Sequence, residues 1–552
     1  MTPTYDIIIV GAGSAGCVMA SQLSAEPAFN VLLLEAGPED KTFLITMPKG
    51  SGKILADPNY CHYFPTERAA QFPGSAAETW VRGKVLGGSS SVNGMVYHRG
   101  QPEDYDRFAE LGLAGWSWRD MLPYFMAMED HELPPTDFRS KGGPIHLRMQ
   151  KRRTRLSAAM IDAAISLGLP YKEDPNLPKV EGIAYIAANV SAKGKRVSAA
   201  SAFLSPTVRR RPNLTIKTGV TVQRVLFEGK RATGVEFLSG ESLSQVHANL
   251  EVILCAGAIQ SPQLLQVSGI GPAEHLRAIG VPVIHDSKLV GGNLREHYLA
   301  FLQFRLKHVA DSENREYSGW RLAKNAIQYV LTGGGLLGDP PWHMSAFVRS
   351  LPESTRPDTQ LTFAPFSLDP DSLGGGAAAM ESVPGMQFFG YPSRSTSQGT
   401  IRAQSADMRL PPKIDPNYLD TEYDKRLSIG LVNYVRRFMA APALAPYVLA
   451  ENPATASART DDEILDYLRR RGQTGYHANG TVHMGTDPSA PLDGRLRVHG
   501  VEHLRVVDAS ILPEQVSGNT NAPVMAMAWR AADMILEDHN RRRTVPADKL
   551  AA

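Results

Sequence analysis

The stretch Tyr5-Asp6-Ile7-Ile8-Ile9-Val10-Gly11-Ala12-Gly13-Ser14-Ala15-Gly16 limits what this chain can fold into more than any other. Its apolar run has the length of a strand buried on both faces. It breaks directly into Gly-x-Gly-x-x-Gly, ahead of a helix-like segment from Cys17 to Leu23. Gly11 permits a tight turn, Gly13 lets a pyrophosphate approach the backbone, and Gly16 lets helix and strand pack closely. The N-terminus of such a helix, here at Ser14 and Ala15, offers unpaired N–H groups and a partial positive charge to phosphates. A second apolar run, Val31 to Leu34, ends in Glu35 and Ala36, where a carboxylate about 20 residues past the glycines meets ribose hydroxyls. The glycine spacing alone is weak. Strand, turn, helix, second strand and acid together predict a dinucleotide-binding α/β unit.

At 552 residues the chain exceeds one compact core, so about two to four structural units are expected. The balance of 58 basic against 56 acidic side chains, a net charge of +2, gives no reason to expect nucleic acid as a partner. Short basic runs at Lys151-Arg152-Arg153, Arg209-Arg210-Arg211 and Arg541-Arg542-Arg543 read as solvated faces. Cys17, Cys61 and Cys255 cannot form a disulfide framework, none lies in a C-x-x-C pair, and no metal ligand is assigned. No secretory pattern precedes the first strand, and no apolar run reaches about 18 residues. The expectation is a cytoplasmic protein, at most peripheral to the inner membrane through weak contact of the Arg541–Arg543 tail.

Along the chain, Gly37 to Thr79 reads as an irregular extended arm. Order returns at Val81-Arg82-Gly83-Lys84-Val85-Leu86-Gly87-Gly88-Ser89-Ser90-Ser91-Val92-Asn93-Gly94, where paired glycines and three serines suit a flat polar ring or a phosphate. Asp104 to Glu129 and Leu156 to Leu167 read as helical. Leu214–Lys217, Val220–Phe227 and Gly234–Phe237 read as an inserted meander, and Val252 to Gly257 as a buried strand entering a glycine turn and a helix. From about Leu299 to Ala450, alternating segments predict an antiparallel sheet, punctuated by Gly333–Gly335 and Gly374–Gly376 and followed by a helix from Glu422 to Met439. Strand-glycine-helix grammar returns with Leu504–Asp508 and Ala522–Leu536. The expected architecture is α/β, α+β overall. A Rossmann-like domain covers 1–160, 195–298 and 470–540, an antiparallel-sheet cap covers 161–194 and 299–469, and a tail covers 541–552.

Four blocks in order carry a resemblance: the first turn with Glu35, Gly83 to Asn93, Gly257 to Gly271, and Tyr476 to Pro523. Over nearly its whole length the chain resembles the glucose–methanol–choline (GMC) oxidoreductases, flavin enzymes that oxidise alcohols. The resemblance implies the GMC fold with extended FAD bound by Gly11, Gly13, Ser14, Ala15, Gly16, Glu35 and Ala36. Also implied are Arg82, Gly87, Gly88, Ser89, Asn93, Gly94, Val222, Ala256, Gly257, Asp508, Ala509, Asn519, Thr520 and Asn521. It places His477 and Asn519 on the family's catalytic pair. His477 would take the hydroxyl proton as hydride leaves for flavin N5, and Asn519 would donate a hydrogen bond to the developing alkoxide.

Two positions separate this chain from choline-oxidising members. Val92 stands where some carry a histidine bonded covalently to FAD, so FAD should be non-covalent. His343 falls at or near the place of a glutamate that holds the choline ammonium, so Trp342, His343 and Tyr476 are expected to line a pocket for a neutral aliphatic, aromatic or polyol-type alcohol. The Gly518–Pro523 ending is similar to the bacterial dehydrogenase branch, which acts on alkanols, polyethylene glycols or sorbose. The implied reaction is oxidation of a primary alcohol to its aldehyde, with electrons passed to a quinone or dye-like acceptor. The alternatives are an oxidase using O₂ and, from another class, a hydroxynitrile lyase with redox-silent FAD. The sequence leaves the oligomeric state open.

Overall fold

The structure, a computed structural model, describes residues 3–75, 77–369 and 379–540. The Gly374–Gly376 loop and the 541–552 tail lie outside the described residues.

The apolar runs form one sheet in the order Leu214–Lys217, Val31–Leu34, Thr4–Val10, Ser242–Leu254, Arg231–Ser239, Val220–Glu228. Ile7, Ile8 and Ile9 are fully buried, as expected of a central strand covered on both faces. The Ser242–Leu254 strand serves two partnerships. Its first half closes the antiparallel meander, while Val252–Leu254 pairs in parallel with Thr4–Val10 on one side and with Leu504–Val506 on the other. Leu214–Lys217 is not part of the meander; it pairs in parallel with Val31–Leu34 at the opposite edge. The helices Ser14–Leu23 and Asn521–Asp538 pack together on this sheet, and Ser14 Oγ donates to Asn521 Oδ1 across their N-terminal ends (2.7 Å).

A second sheet runs Val448–Glu451, Tyr298–Leu306, Gly385–Pro392, Thr359–Ala364, Met344–Val348, Gly182–Tyr185, Tyr171–Lys172. It is antiparallel except at the edge, where Tyr171–Lys172 runs parallel to Gly182–Tyr185. Gln473–Thr474 adds to the start of Tyr298–Leu306 and so ties the loop that follows it to this sheet. The Glu422–Met439 helix covers the back, burying Leu427, Leu431, Val435 and Phe438 at helical spacing.

Two further segments differ from expectation. The Gly37–Thr79 arm carries short helices and the strand Cys61–Pro65, which pairs with Thr79–Gly83. The signal was weak because the strand is short and buries only Cys61 and Phe64. Asp104 to Glu129 is not one helix but two, Pro102–Glu110 and Trp118–Met128. Gly112 and Gly115 adopt left-handed φ values of 84° and 86° between them, and Ser117 caps the second through a capping box with Asp120.

Candidate active site

A cavity of ≈ 1290 Å³ runs between the two sheets, from Glu35 past both glycine turns to His477 and Asn519. That exceeds the roughly 300–1,000 Å³ usual for one small ligand. The glycines account for its shape. A Cβ on Gly16 would lie 1.9 Å from Gly11 O, so only glycine lets the helix seat against the strand. A Cβ on Gly88, at φ +54°, would lie 2.7 Å from Gly13 Cα, and Gly87 N donates to Ala12 O (2.8 Å). The Gly87–Ser91 turn is therefore stacked on the dinucleotide turn. Ser90 Oγ and Ser91 Oγ turn inward to Gly87 O and Leu86 O, which leaves Ser89 as the serine of this block that lines the cavity.

At one end Glu35 accepts Ala12 N (2.8 Å) and Gly37 N (2.9 Å), and burial pushes its carboxyl up to about 7. Asp508 accepts Gly257 N (2.8 Å) and Ser261 Oγ (2.5 Å), tying the ends of two buried strands. Toward the His477 end, Arg82 Nη2 is buried without a hydrogen-bond partner, 3.8 Å from Glu296 Oε2. A close-packed glycine cradle, two converging helix N-termini, an acid at the ribose position and an unsatisfied guanidinium nitrogen fit an extended, anionic dinucleotide such as FAD.

At the other end a directed chain of hydrogen bonds surrounds His477. Tyr391 O–H donates to Gln360 Oε1 (2.7 Å), Gln360 Nε2 donates to Asn519 Oδ1 (3.3 Å), and Asn519 Nδ2 faces His477 Nε2 (3.0 Å). On the far side His477 Nδ1 lies 2.9 Å from His297 Nδ1, and His297 Nε2 lies 2.9 Å from Ser393 O. The tautomers follow from the network. A carbonyl only accepts, so His297 Nε2 carries the proton. With burial pushing His297 down to about 3, it is neutral and its Nδ1 accepts. His477 Nδ1 then donates, and His477 Nε2 is left with its lone pair toward Asn519 and the cavity. Burial, then neighbouring His297, Arg82 and His98, hold the His477 imidazole well below its ordinary value, so it is neutral at neutral pH.

The backbone of this loop is pinned by Glu296. Its Oε1 accepts the N–H groups of both His477 and His297 (2.8 Å each), and Oε2 accepts Thr474 Oγ1 (2.9 Å). Tyr476 sits at φ +63°, a conformation that costs a non-glycine residue on the order of 1 kcal/mol or more and is held by its N–H donating to Thr474 Oγ1.

Of the positions singled out in the sequence, Gly11, Gly13, Ser14, Ala15, Glu35, Ala36, Arg82, Gly88, Ser89, Asn93, Gly94 and Val222 line this cavity. So do Ala256, Gly257, Asp508, Ala509, Asn519, Thr520, Asn521, Trp342, Tyr476 and His477. Gly16 and Gly87 stand behind the cavity wall as packing positions. The expectation for His343 is corrected: it is fully buried away from the cavity, with Nε2 3.1 Å from Glu313 Oε1. Its neighbour Trp342 does reach the cavity, where a Cβ on Gly94 would meet Nε1 at 2.5 Å. Adjacent residues of an extended segment point to opposite faces, so both could not line one pocket.

The sequence reading missed His297, Gln360, Tyr391 and Glu296. It also missed Arg196, a buried guanidinium that donates to Asn93 O (2.7 Å) and Asn93 Oδ1 (2.9 Å) and is pushed down to about 9 by burial. The one local signal was Glu296-His297, an adjacent acid and histidine at the entry to an apolar strand.

With this geometry in view, comparison with known proteins decides the family. GMC oxidoreductase models match residues 5–299 and 395–528. The chain belongs to the GMC oxidoreductase family. It is 37% identical over 549 residues to an oxygen-dependent choline dehydrogenase of Pectobacterium carotovorum subsp. carotovorum (strain PC1), covering 99% of this chain and 96% of that one. It is 38% identical over 551 residues to the mitochondrial choline dehydrogenase of Homo sapiens, covering 96% and 89%. The crystal structure of pyridoxine 4-oxidase from Mesorbium loti superposes with a TM-score of 0.87 at 30% identity, covering 98% and 100%. The fold is thus the GMC fold, an α/β FAD-binding domain with a mostly antiparallel substrate domain. The protein is an oxidoreductase acting on CH–OH donors, in a family for which FAD is the typical cofactor.

Proposed function

We propose that this enzyme oxidises a neutral, apolar or aromatic primary alcohol to its aldehyde, with His477 as the base. The observation that carries the reading is the directed network, which leaves the His477 Nε2 lone pair and the Asn519 Nδ2 donor 3.0 Å apart at the cavity wall. When bound, FAD supplies the hydride acceptor. The protein supplies the rest. Asn519 Nδ2 donates to the substrate oxygen, His477 Nε2 takes the hydroxyl proton as the C–H hydride departs, and the product is an aldehyde. Such a base contributes about 10²- to 10⁴-fold. FAD would rest on Gly11, Gly13, Ser14, Gly88, Asn93, Asp508 and Asn521, with Glu35 at its ribose. We take it as non-covalent, because Val92 offers no nucleophile.

The charge of the cavity supports a neutral substrate, unlike the choline of the relatives' names. Among the described lining residues the carboxylates are Glu35 and Asp508, and both are bound to backbone N–H groups away from the His477 end. The aromatic walls already face cations. Lys49 Nζ stands 5.8 Å from the Phe366 ring and the Arg82 guanidinium 5.8 Å from Tyr476. Each of these cations is paired with its own carboxylate, Lys49 with Glu313 (3.3 Å) and Arg82 beside Glu296 (3.8 Å), so at neither face is an aromatic ring or a carboxylate left unengaged for a quaternary ammonium. Trp342, against Phe389 (4.7 Å) and Phe366 (6.0 Å), continues an apolar passage suited to a flat or alkyl group.

For the electron acceptor we propose a quinone or dye-like molecule, in keeping with the dehydrogenase name of the human relative; the name of the Pectobacterium relative, an oxygen-dependent dehydrogenase, makes O₂ the alternative to be separated by experiment. Free, buried Cys17, Cys61 and Cys255 favour a cytoplasmic location. The deciding experiment is anaerobic flavin bleaching with benzyl alcohol, 1-octanol, a polyol and choline, followed by air. Benzyl alcohol or octanol should bleach fastest, and colour should return slowly. Fastest bleaching by choline would refute the substrate class, and rapid recovery in air would make the enzyme an oxidase.

A further inference from the structure

The Gly319–Thr332 helix covers the mouth of the cavity with one side and turns an apolar face outward. Its inner side buries Asn325 and Tyr329, with Leu322, Ala326 and Val330 at the cavity. Trp320, Ile327 and Leu331 follow one another at helical spacing on the outer side and are 71%, 61% and 78% exposed. Val330, 70% exposed, and Phe43, 53% exposed with its ring 5.7 Å from that of Tyr329, both line the cavity and carry exposed apolar surface round from this face to the mouth. An apolar patch built from two segments at a cavity mouth marks an interaction site.

Its border names the partner. Lys324 is exposed on the same helix, and Lys41 is exposed two residues before Phe43. The exposed Lys193 and Lys195 flank Gly194, whose carbonyl accepts from Tyr329 O–H (3.2 Å), and Lys193 O abuts Gly333 at the helix end. Arg315 is exposed just ahead of the helix, and the adjacent acid Glu316 is held by Arg321 at 2.6 Å. A tryptophan and aliphatic side chains ringed by lysines match a bilayer interface, where apolar groups enter the acyl boundary and ammonium groups meet anionic headgroups. A second copy of the chain would bring these lysines against one another, which costs energy.

We propose that this face docks the enzyme on an anionic phospholipid surface, with the cavity mouth against the membrane. Apolar alcohols and lipid-soluble electron acceptors would then exchange with the bilayer without crossing water. No described helix is long and apolar enough to span a membrane, so the contact is peripheral. The proposal rests on the outer face alone and stands whatever alcohol the site takes.

The test is sedimentation of FAD-loaded protein with phosphatidylcholine vesicles, with and without phosphatidylglycerol. The wild type should co-sediment with the anionic vesicles and be released by high salt. The Trp320→Glu, Ile327→Glu double variant should partition at least about tenfold less, while keeping its flavin absorbance and its oxidation of benzyl alcohol in solution. A charge-reversed pair, Lys193→Glu with Lys324→Glu, should lose anionic selectivity and serves if the first variant is unstable. Absence of wild-type binding, or equal binding by the variants, would overturn the proposal. So would a wild-type dimer in solution that both variants abolish, since the face would then be a contact between copies.

Discussion

His297 Nδ1 and His477 Nδ1 face each other at 2.9 Å, and a hydrogen bond between them requires a proton on one and a lone pair on the other. The Ser393 carbonyl decides which, by claiming the proton of His297 Nε2. The form in which His477 meets a substrate is thus set by a backbone carbonyl two rings away. In the proposed mechanism His297 is a positioning residue and His477 the catalytic one.

If His477 is the base, His477→Ala should slow flavin reduction by about 10²- to 10⁴-fold while FAD remains bound. Stopped-flow bleaching with benzyl alcohol measures the loss, and the flavin spectrum of the purified variant checks binding. Near-normal reduction would remove His477 from the mechanism.

His297 should act through the tautomer alone. Leucine at this position offers no acceptor, so His477 Nδ1 loses its partner and part of the population presents Nε2–H to the substrate. Glutamine keeps an acceptor oxygen. Flavin reduction should therefore fall about tenfold or more in His297→Leu and recover partly in His297→Gln. Equal rates in the two variants would show that hydrogen-bond acceptance is irrelevant.

The pH dependence carries a definite sign. Protonated His477 cannot accept the hydroxyl proton, and burial with His297, Arg82 and His98 nearby holds its pKa down, while the Glu296 carboxylate reaches its backbone N–H. The limb that belongs to His477 should lie below the ordinary histidine value of about 6.5, whereas Glu296, pushed up to about 7 by burial, titrates nearer neutrality. Removing His297 lifts one of the lowering influences, so in His297→Leu the acid limb should move to higher pH. A limb at or above the ordinary histidine value that persists in Glu296→Gln would contradict the buried, neutral imidazole.

The nucleotide end of the site was legible because its signals are local. Gly11 and Gly16 meet within a single turn, and Glu35 accepts from Ala12 at the ends of adjacent parallel strands. The pair His477 and Asn519 was reached through resemblance, since nothing within 42 residues of sequence joins them. Gln360, Tyr391 and His297 lie on three strands of the second sheet or at its edge, and only the pairing of those strands brings them together. His343 was misplaced for the converse reason. The sequence showed two adjacent large residues, and strand register alone decides that Trp342 faces the cavity and His343 faces Glu313. The split of 104–129 into two helices was visible in Gly112 and Gly115, whose cost in a helix interior the aromatic pattern concealed.

Val92 is buried beside Asn93, and its side chain has no atom able to bond a flavin. Acid precipitation of the yellow protein should therefore leave the colour in the supernatant. Colour in the pellet would show a covalent link through another cavity residue, His62 being one with a ring nitrogen.

Glu35 gives a test independent of turnover. Burial outweighs the N–H groups of Gly37 and Ala12 and raises its carboxyl from 4.5 to about 7 in the flavin-free protein. A raised folded value means the folded chain holds a proton that the unfolded chain has released. The stabilisation is therefore complete below 4.5 and is lost as pH rises through about 7. Its size is on the order of a few kcal/mol, since each tenfold change in proton affinity is worth about 1.4 kcal/mol. Glu35→Gln removes the titration. The Tm difference between the Glu35→Gln and wild-type apoproteins should therefore move in favour of the variant as pH rises from about 5 to about 7.5, by about 2–3 °C in a chain of this length. The same variant should release FAD faster on dialysis, because its amide nitrogen cannot accept from a ribose hydroxyl. A pH-independent Tm difference would mean that Glu35 is already ionised in the folded apoprotein, with its N–H partners outweighing burial.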